Sequence, residues 1–164
     1  MLVDLPAVWL VLLNVVAWAV LHMGLAWAGT RISPERFDPE AWFYRDREWE
    51  KDGSVYEKVL NVRKWKDGLP DLGGIFAGGF SKSVMRSRSA DYIQRFVRET
   101  CRGEMVHWAV LASSLLFFLW NPWWAGLIMV VYAVMANMPC IIAQRYNRFR
   151  LLRLLGRMSE TRSD

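Results

Sequence analysis

From Pro6 to Ala28 the chain runs without a charged side chain, and only Asn14 and His22 interrupt it as polar groups. As a helix this run spans roughly 30 Å, about one hydrocarbon core. Few folds accommodate such a segment, because backbone polar groups in lipid must be satisfied internally. Ala26-Trp27-Ala28 has the small-x-small form of a signal-peptide cleavage site. The segment ahead of it carries Asp4 and no Lys or Arg, and the run is too long for an h-region. A retained transmembrane helix over 6–28 is therefore expected, ended by Gly29 at the C′ position and by Arg31.

Two further apolar stretches follow a long polar region. Arg31 to Arg102 carries both charge signs and many aromatics. Asp52-Gly53 is a turn signal, and Val55 to Trp65 reads as a short helix. Leu72 to Phe80 is apolar and Gly-rich but too short to span, so it reads as a loop in the headgroup layer. Ser89 is a candidate N-cap with Asp91 in the first turn. The helix it starts is expected to continue through Glu99–Trp108 into a second span ending at Trp120. Asn121-Pro122 turns the chain, Trp123-Trp124 forms an aromatic belt, and a third span runs to Ala143, broken at Asn137 and Pro139.

The pattern predicts an all-α, polytopic membrane protein with three transmembrane helices and a cytoplasmic interfacial region. One membrane-embedded domain covers 1–164: helix 6–28, interfacial region 31–103, helical hairpin 105–143 and basic tail 144–164. Lys and Arg concentrate in the middle region and the tail. That places the N-terminus outside and the C-terminus in the cytoplasm of a multi-pass cell-membrane protein. Ten Trp suit bilayer interfaces, and a formal charge of +5 suits an anionic membrane surface or a phosphate-bearing ligand. No nucleic-acid partner is expected, since the basic residues adjoin membrane segments. Two cysteines make no disulfide framework, and no CxxC or His/Cys cluster indicates a metal.

The chemistry concentrates where the second span enters the bilayer. Thr100, Glu104 and His107 fall on one helical stripe, with Arg95, Glu99 and Arg102 on the next. His107 lies fourteen residues before Asn121, and Asn137 fifteen after Pro122. Both thus sit about 21–23 Å from the turn. Asn137, Ile141, Gln144 and Arg148 form a facing stripe on the third span, so the two polar stripes are expected to meet. This arrangement suits acid–base catalysis or a hydrogen-bonded helix contact. The knot Arg63-Lys64-Trp65-Lys66 suits a phosphate, a carboxylate or anionic lipid. His22 reads as an interhelical hydrogen-bonder, and no serine lies in a G-x-S-x-G elbow.

Several of these pieces together resemble the glycosyl-4,4′-diaponeurosporenoate acyltransferases of staphyloxanthin-type carotenoid synthesis. They are Gly29-Thr30-Arg31-Ile32, Val62-Arg63-Lys64-Trp65-Lys66, and Glu99-Thr100-x-Arg102-x-Glu104-x-x-His107-Trp108. Tyr132-Ala133-x-x-Ala136-Asn137-x-Pro139 and Gln144-Arg145-Tyr146-Asn147-Arg148-x-Arg150-Leu151 complete the pattern. The Gly-rich Leu72–Phe80 loop, Cys140 and His22 lie outside it.

The resemblance implies a membrane-bound O-acyltransferase that esterifies a sugar hydroxyl of a glycosylated carotenoid acid, or a similar glycolipid, with a fatty acyl chain. No cofactor is expected beyond acyl-CoA or another activated acyl donor. On this reading His107 is the general base, and Glu104, or failing it Glu99, orients the ring. Asn137 or Arg148 meets the oxyanion. Arg63, Lys64, Trp65, Lys66, Arg102, Gln144, Arg145 and Asn147 contact the substrates. The alternative is a small non-enzymatic membrane scaffold for lipid-modifying enzymes, in which the same stripes serve only helix packing.

Overall fold

The computed structural model describes residues 5–69, 77, 79–80 and 85–163. The expected loop over Leu72–Phe80 and the Ser-rich stretch Ser81–Arg88 lie largely outside them. Among the described residues all regular structure is helical. The α-helices are α1 (Ala7–Arg31), α2 (Ser54–Lys58), α3 (Val62–Trp65), α4 (Ala90–Ser113) and α5 (Trp123–Ser163). Short 3-10 turns connect them, the longest being Ser114–Leu119.

Helices α4 and α5 form the hairpin, and α1 packs along α4. The contacts show that α1 runs antiparallel to α4. Trp18 stacks on Phe117 with centroids 4.5 Å apart, while Gly29, at the other end of α1, faces Val106. A Cβ at Gly29 would lie 2.5 Å from Val106 Cγ2. Gly29 is therefore a close-approach residue inside α1 and not the helix terminator expected from sequence; the cap is Ile32. His22 hydrogen-bonds through Nδ1 to the Trp18 carbonyl at 2.9 Å, a partner on its own helix rather than across to another.

Among the described residues two helices, α1 and α5, are long and apolar enough to cross a membrane, not three. Most of α1 is unburied: Val8, Trp9, Val11, Val15, Val16 and Val20 stand exposed. Such a face suits lipid better than water. The second expected span fails for a local reason. The first turns of α4 carry Arg95, Arg98, Glu99, Arg102 and Glu104, and the apolar part leaves the α-helix at Ser113. There the Ser113 and Ser114 hydroxyls donate to the Val110 and Leu111 carbonyls, each at 2.7 Å. Such local bonds compete with the helical ladder, and the chain tightens into the 3-10 turn. The expected break at Asn137 and Pro139 is absent, since α5 continues through both for 41 residues. Long packing against α4 holds it straight-through despite the lost donor.

The polar region folds over the half of the hairpin remote from its turn. Instead of one helix over Val55–Trp65, α2 and α3 are separated at Asn61, which takes a left-handed φ of 47°. Lys51, Asp52 and Gly53 make the turn before α2, all with positive φ. Tyr56 and Val62 from this region pack against Tyr146 of α5 in a small apolar cluster. Ser89 caps α4 as its sequence indicates, accepting from the Tyr92 N–H at 3.3 Å.

Candidate functional site

Residues on the half of the hairpin remote from its turn form two polar groups, an imidazole–amide pair and an ionic cage. The neutral group joins α4 to α5. His107 Nδ1 lies 2.9 Å from Asn137 Oδ1. Asn137 Nδ2 donates to the Ala133 carbonyl at 2.9 Å, which fixes the amide with its oxygen toward the imidazole. An acceptor oxygen requires Nδ1 to carry the proton. The neutral ring then has its lone pair on Nε2, the tautomer of a general base. The count of residues from the turn thus locates a real contact between the two stripes.

The ionic group lies further from the hairpin end, about one turn along α4 and two to three turns along α5. Arg145 grips Glu50 through two bonds, Nε to Oε1 at 2.7 Å and Nη2 to Oε2 at 2.6 Å. Its Nη1 donates to Glu104 Oε1 at 3.0 Å, and Arg148 Nη2 donates to Glu104 Oε2 at 2.5 Å. Arg145 Nη2 also reaches the Arg45 carbonyl, and Trp108 Nε1 reaches Glu104 at 3.4 Å. Arg148 Nη1 rests on Cys101 Sγ at 3.5 Å, and its guanidinium lies over the Tyr44 ring. Glu50 and Glu104 are at most 1% exposed. Two carboxylates and two guanidiniums make a cage of zero net charge, the condition under which buried ions persist.

Burial acts to raise the Glu50 carboxyl, but hydrogen bonds from Arg145 and Tyr56 and the Arg145 charge more than reverse this. Glu50 is held below the ordinary carboxylate range. Tyr56, which donates to Glu50, is pushed upward, first by burial and then by that bond. Burial, with Cys101 and Glu104 nearby, pushes Tyr44 up to about 12. The Cys101 thiol is also raised by burial, so it stays protonated and is a poor nucleophile.

The other sequence candidates divide by position. Arg102 bonds Glu99 at 2.7 Å and donates to the Ile32 carbonyl, tying α4 to the end of α1. Arg63 and Lys64 are exposed on α3, Lys66 pairs with Asp67, and Trp65 donates to the Leu60 carbonyl. Asn147 lines a cleft beside α5 with Lys66. Gln144 stands half-buried between the cage and the neutral pair on the α5 stripe. Glu50, Tyr44 and Tyr56 are members of the site that pattern reasoning passes over. Their only sequence signal is a buried-sized aromatic or carboxylate in a region of mixed charge. Among the described residues no three His, Cys, Asp or Glu side chains converge as metal ligands.

Comparison with known proteins points one way. Residues 39–157 match the family described as glycosyl-4,4'-diaponeurosporenoate acyltransferase. Proteins of that name from Staphylococcus aureus strains bovine RF122 / ET3-1 and USA300 are each 32% identical to the chain over 138 residues. Each alignment covers 84% of this chain and 83% of the relative. No solved structure matches.

Proposed function

The chain belongs to the glycosyl-4,4'-diaponeurosporenoate acyltransferase family, and from that premise we propose that it transfers a fatty acyl group to a sugar hydroxyl of a glycosylated carotenoid acid at the cell membrane. The observation that carries the mechanism is the His107–Asn137 contact at 2.9 Å with Asn137 itself tied to Ala133. A base needs a fixed tautomer as well as a suitable pKa range, and this pair supplies the tautomer. In the reaction, His107 Nε2 takes the hydroxyl proton as the sugar oxygen bonds to the acyl carbonyl carbon. Collapse of the tetrahedral intermediate breaks the bond to the donor's carrier, such as the thiol of acyl-CoA, and the imidazolium returns its proton to that leaving group.

Asn137 takes the orienting role that sequence spacing assigns to Glu104 or Glu99, because those carboxylates are engaged by arginines. Glu104 becomes a positioning residue for Arg148. Arg148 is the candidate for the developing oxyanion, since its Nη1 rests on a thiol, a weak acceptor that a stronger anion displaces. Arg63 and Lys64, exposed on α3, attract a phosphate-bearing donor to the surface, with Lys66 in the turn that follows. The two apolar helices hold the protein in the bilayer, and α4 with its 3-10 turn carries the chain back between them, so that the N-terminus lies outside and the cage and tail on the cytoplasmic side.

The test is acyl transfer per mole of inserted protein in nanodiscs. His107→Gln keeps a hydrogen-bonding group but loses the base, and turnover should fall by roughly a hundredfold or more. Asn137→Ala should reduce turnover by less, and the double variant by less than the product of the two, because an orienting group does little without its base. Near-normal turnover in His107→Gln sinks the mechanism.

A further inference from the structure

On the outer side of the basic half of α5, away from the cage, lies a cleft of about 530 Å³. Of the described residues around it, Lys66, Arg150, Arg153 and Arg157 are cationic, and Glu57 is the one anion. Arg150, Arg153 and Arg157 stand at i, i+3 and i+7, so one helical stripe carries three like charges in a rigid row. Like charges at such spacing repel one another and destabilise a helix. Arg153 reaches Glu57 at 3.4 Å, but both side chains are nearly half exposed, so this pair offsets little. Arg150 is held in place by stacking over the Tyr146 ring at 5.6 Å. Asn147 adds an uncharged polar group at the membrane end of the cleft, and Phe96, Leu151 and Leu154 give it an apolar floor.

Depth narrows the occupant. Counting from Trp123, about 30 Å of hydrocarbon is used up near Ala143. Asn147 follows at about the level of the phosphate groups, and the arginine row runs on from about 10 Å to about 21 Å past the hydrocarbon, where it meets phosphates that protrude from the surface or arrive from solution. Guanidinium forks match phosphate oxygens bidentately, and a floor of apolar side chains suits a carbon skeleton attached to that phosphate. We infer that this cleft is a binding site for a phosphate-bearing amphiphile, distinct from the His107–Asn137 pair. A phospholipid headgroup and a soluble phosphorylated donor share that chemistry. The inference does not depend on acyl transfer, and its test reads binding alone.

The experiment follows thermal unfolding of the full chain in phosphatidylcholine nanodiscs, with two probes. One is coenzyme A in solution; the other is replacement of part of the phosphatidylcholine by phosphatidylglycerol. A ligand that binds the folded state raises the unfolding temperature. The wild type should respond to at least one probe, and Arg150→Gln/Arg153→Gln/Arg157→Gln should lose that response. A response to coenzyme A alone identifies a soluble phosphorylated ligand, and one to phosphatidylglycerol alone identifies a headgroup. The control Arg31→Gln/Arg36→Gln/Lys51→Gln removes three exposed charges that do not line the cleft and should keep the response. If the triple cleft variant shows no unfolding transition, Arg157→Gln alone should weaken apparent affinity roughly tenfold, the loss of one charge-assisted contact. No response in the wild type to either probe overturns the inference. So does an equal response in the cleft variants, or an equal loss in the control.

Discussion

At the hairpin end of the bundle, Asn14 and Asn121 exchange hydrogen bonds, each amide donating to the other at 2.9 Å. Trp120 Nε1 donates to the same Asn14 oxygen at 2.7 Å, and Asn121 also reaches the Phe117 carbonyl. At the other end, Glu50, Glu104, Arg145 and Arg148 do a similar joining job with four full charges. Both groups are buried and both link segments about a hundred residues apart. The difference follows depth. The amide clamp lies among apolar side chains, where neutral groups are the less costly way to hold helices together. The cage lies where the chain leaves the apolar stretch, and there paired charges can be accommodated. Neutral clamps tolerate removal as a unit, whereas a charge cage punishes the loss of any single member.

The largest expected effect tests that asymmetry directly. Glu104→Ala leaves Arg145 and Arg148 without their shared carboxylate and should cost about 3–5 kcal/mol in unfolding free energy. Chemical denaturation in a mild detergent reads it, and a loss under about 1 kcal/mol would erase the distinction between the two layers. Next in size is Asn14→Ala, which strands Asn121 and Trp120 and should cost about 1–3 kcal/mol. Replacing Asn14 and Asn121 together by Leu should recover much of that loss, a positive coupling measured in a double-mutant cycle. Additive losses would mean that the amides act through packing and not through each other.

The smallest expected effect is on pH. Glu50 has a folded pKa below its unfolded value near 4.3, so its contribution is present above that pH and is lost as pH falls through the lowered value. Wild-type stability should therefore drop on acidification, and Glu50→Gln should be weaker at neutral pH but flatter below about pH 4.3. The amide clamp carries no titratable group, so an Asn14→Ala protein should keep the wild-type slope. An acid slope that is unchanged in Glu50→Gln assigns the effect to other carboxylates.

Counting along the chain reached some of this architecture. The apolar run of α1, the Ser89 cap and the meeting of His107 with Asn137 all follow from local spacing, and the structure places them accordingly. What spacing misses is long-range choice. Glu104 has His107 one turn away on its own stripe, yet its oxygens go to arginines more than forty residues on. Glu50 lies in a stretch of mixed charge, and its partner Arg145 is 95 residues distant. Nothing in the sequence near Glu50 distinguishes it from Glu48, which stays outside the cage. The second span differs from expectation because composition counts apolar residues, while the Ser113 and Ser114 hydroxyls decide where the α-helix stops. Pro139 misled in the opposite direction, because tertiary packing carried α5 through it.

The continuity of α5 has a mechanical consequence. A rod of 41 residues is about 60 Å long, about twice the thickness of a bilayer's hydrocarbon core. Its basic half cannot keep its bearing while its apolar half leans. A bilayer that thins by a few ångströms tilts such a helix to restore the match. In the membrane setting proposed above, about 21 Å of lever separates Arg157 from the boundary near Ala143, and a tilt of about 10° swings Arg157 by about 4 Å. The cage grips the rod near its fulcrum, at Arg145 and Arg148, and the cleft rides on the long arm. Membrane thickness thereby becomes a mechanical input, felt least at the cage and most at the end of the tail.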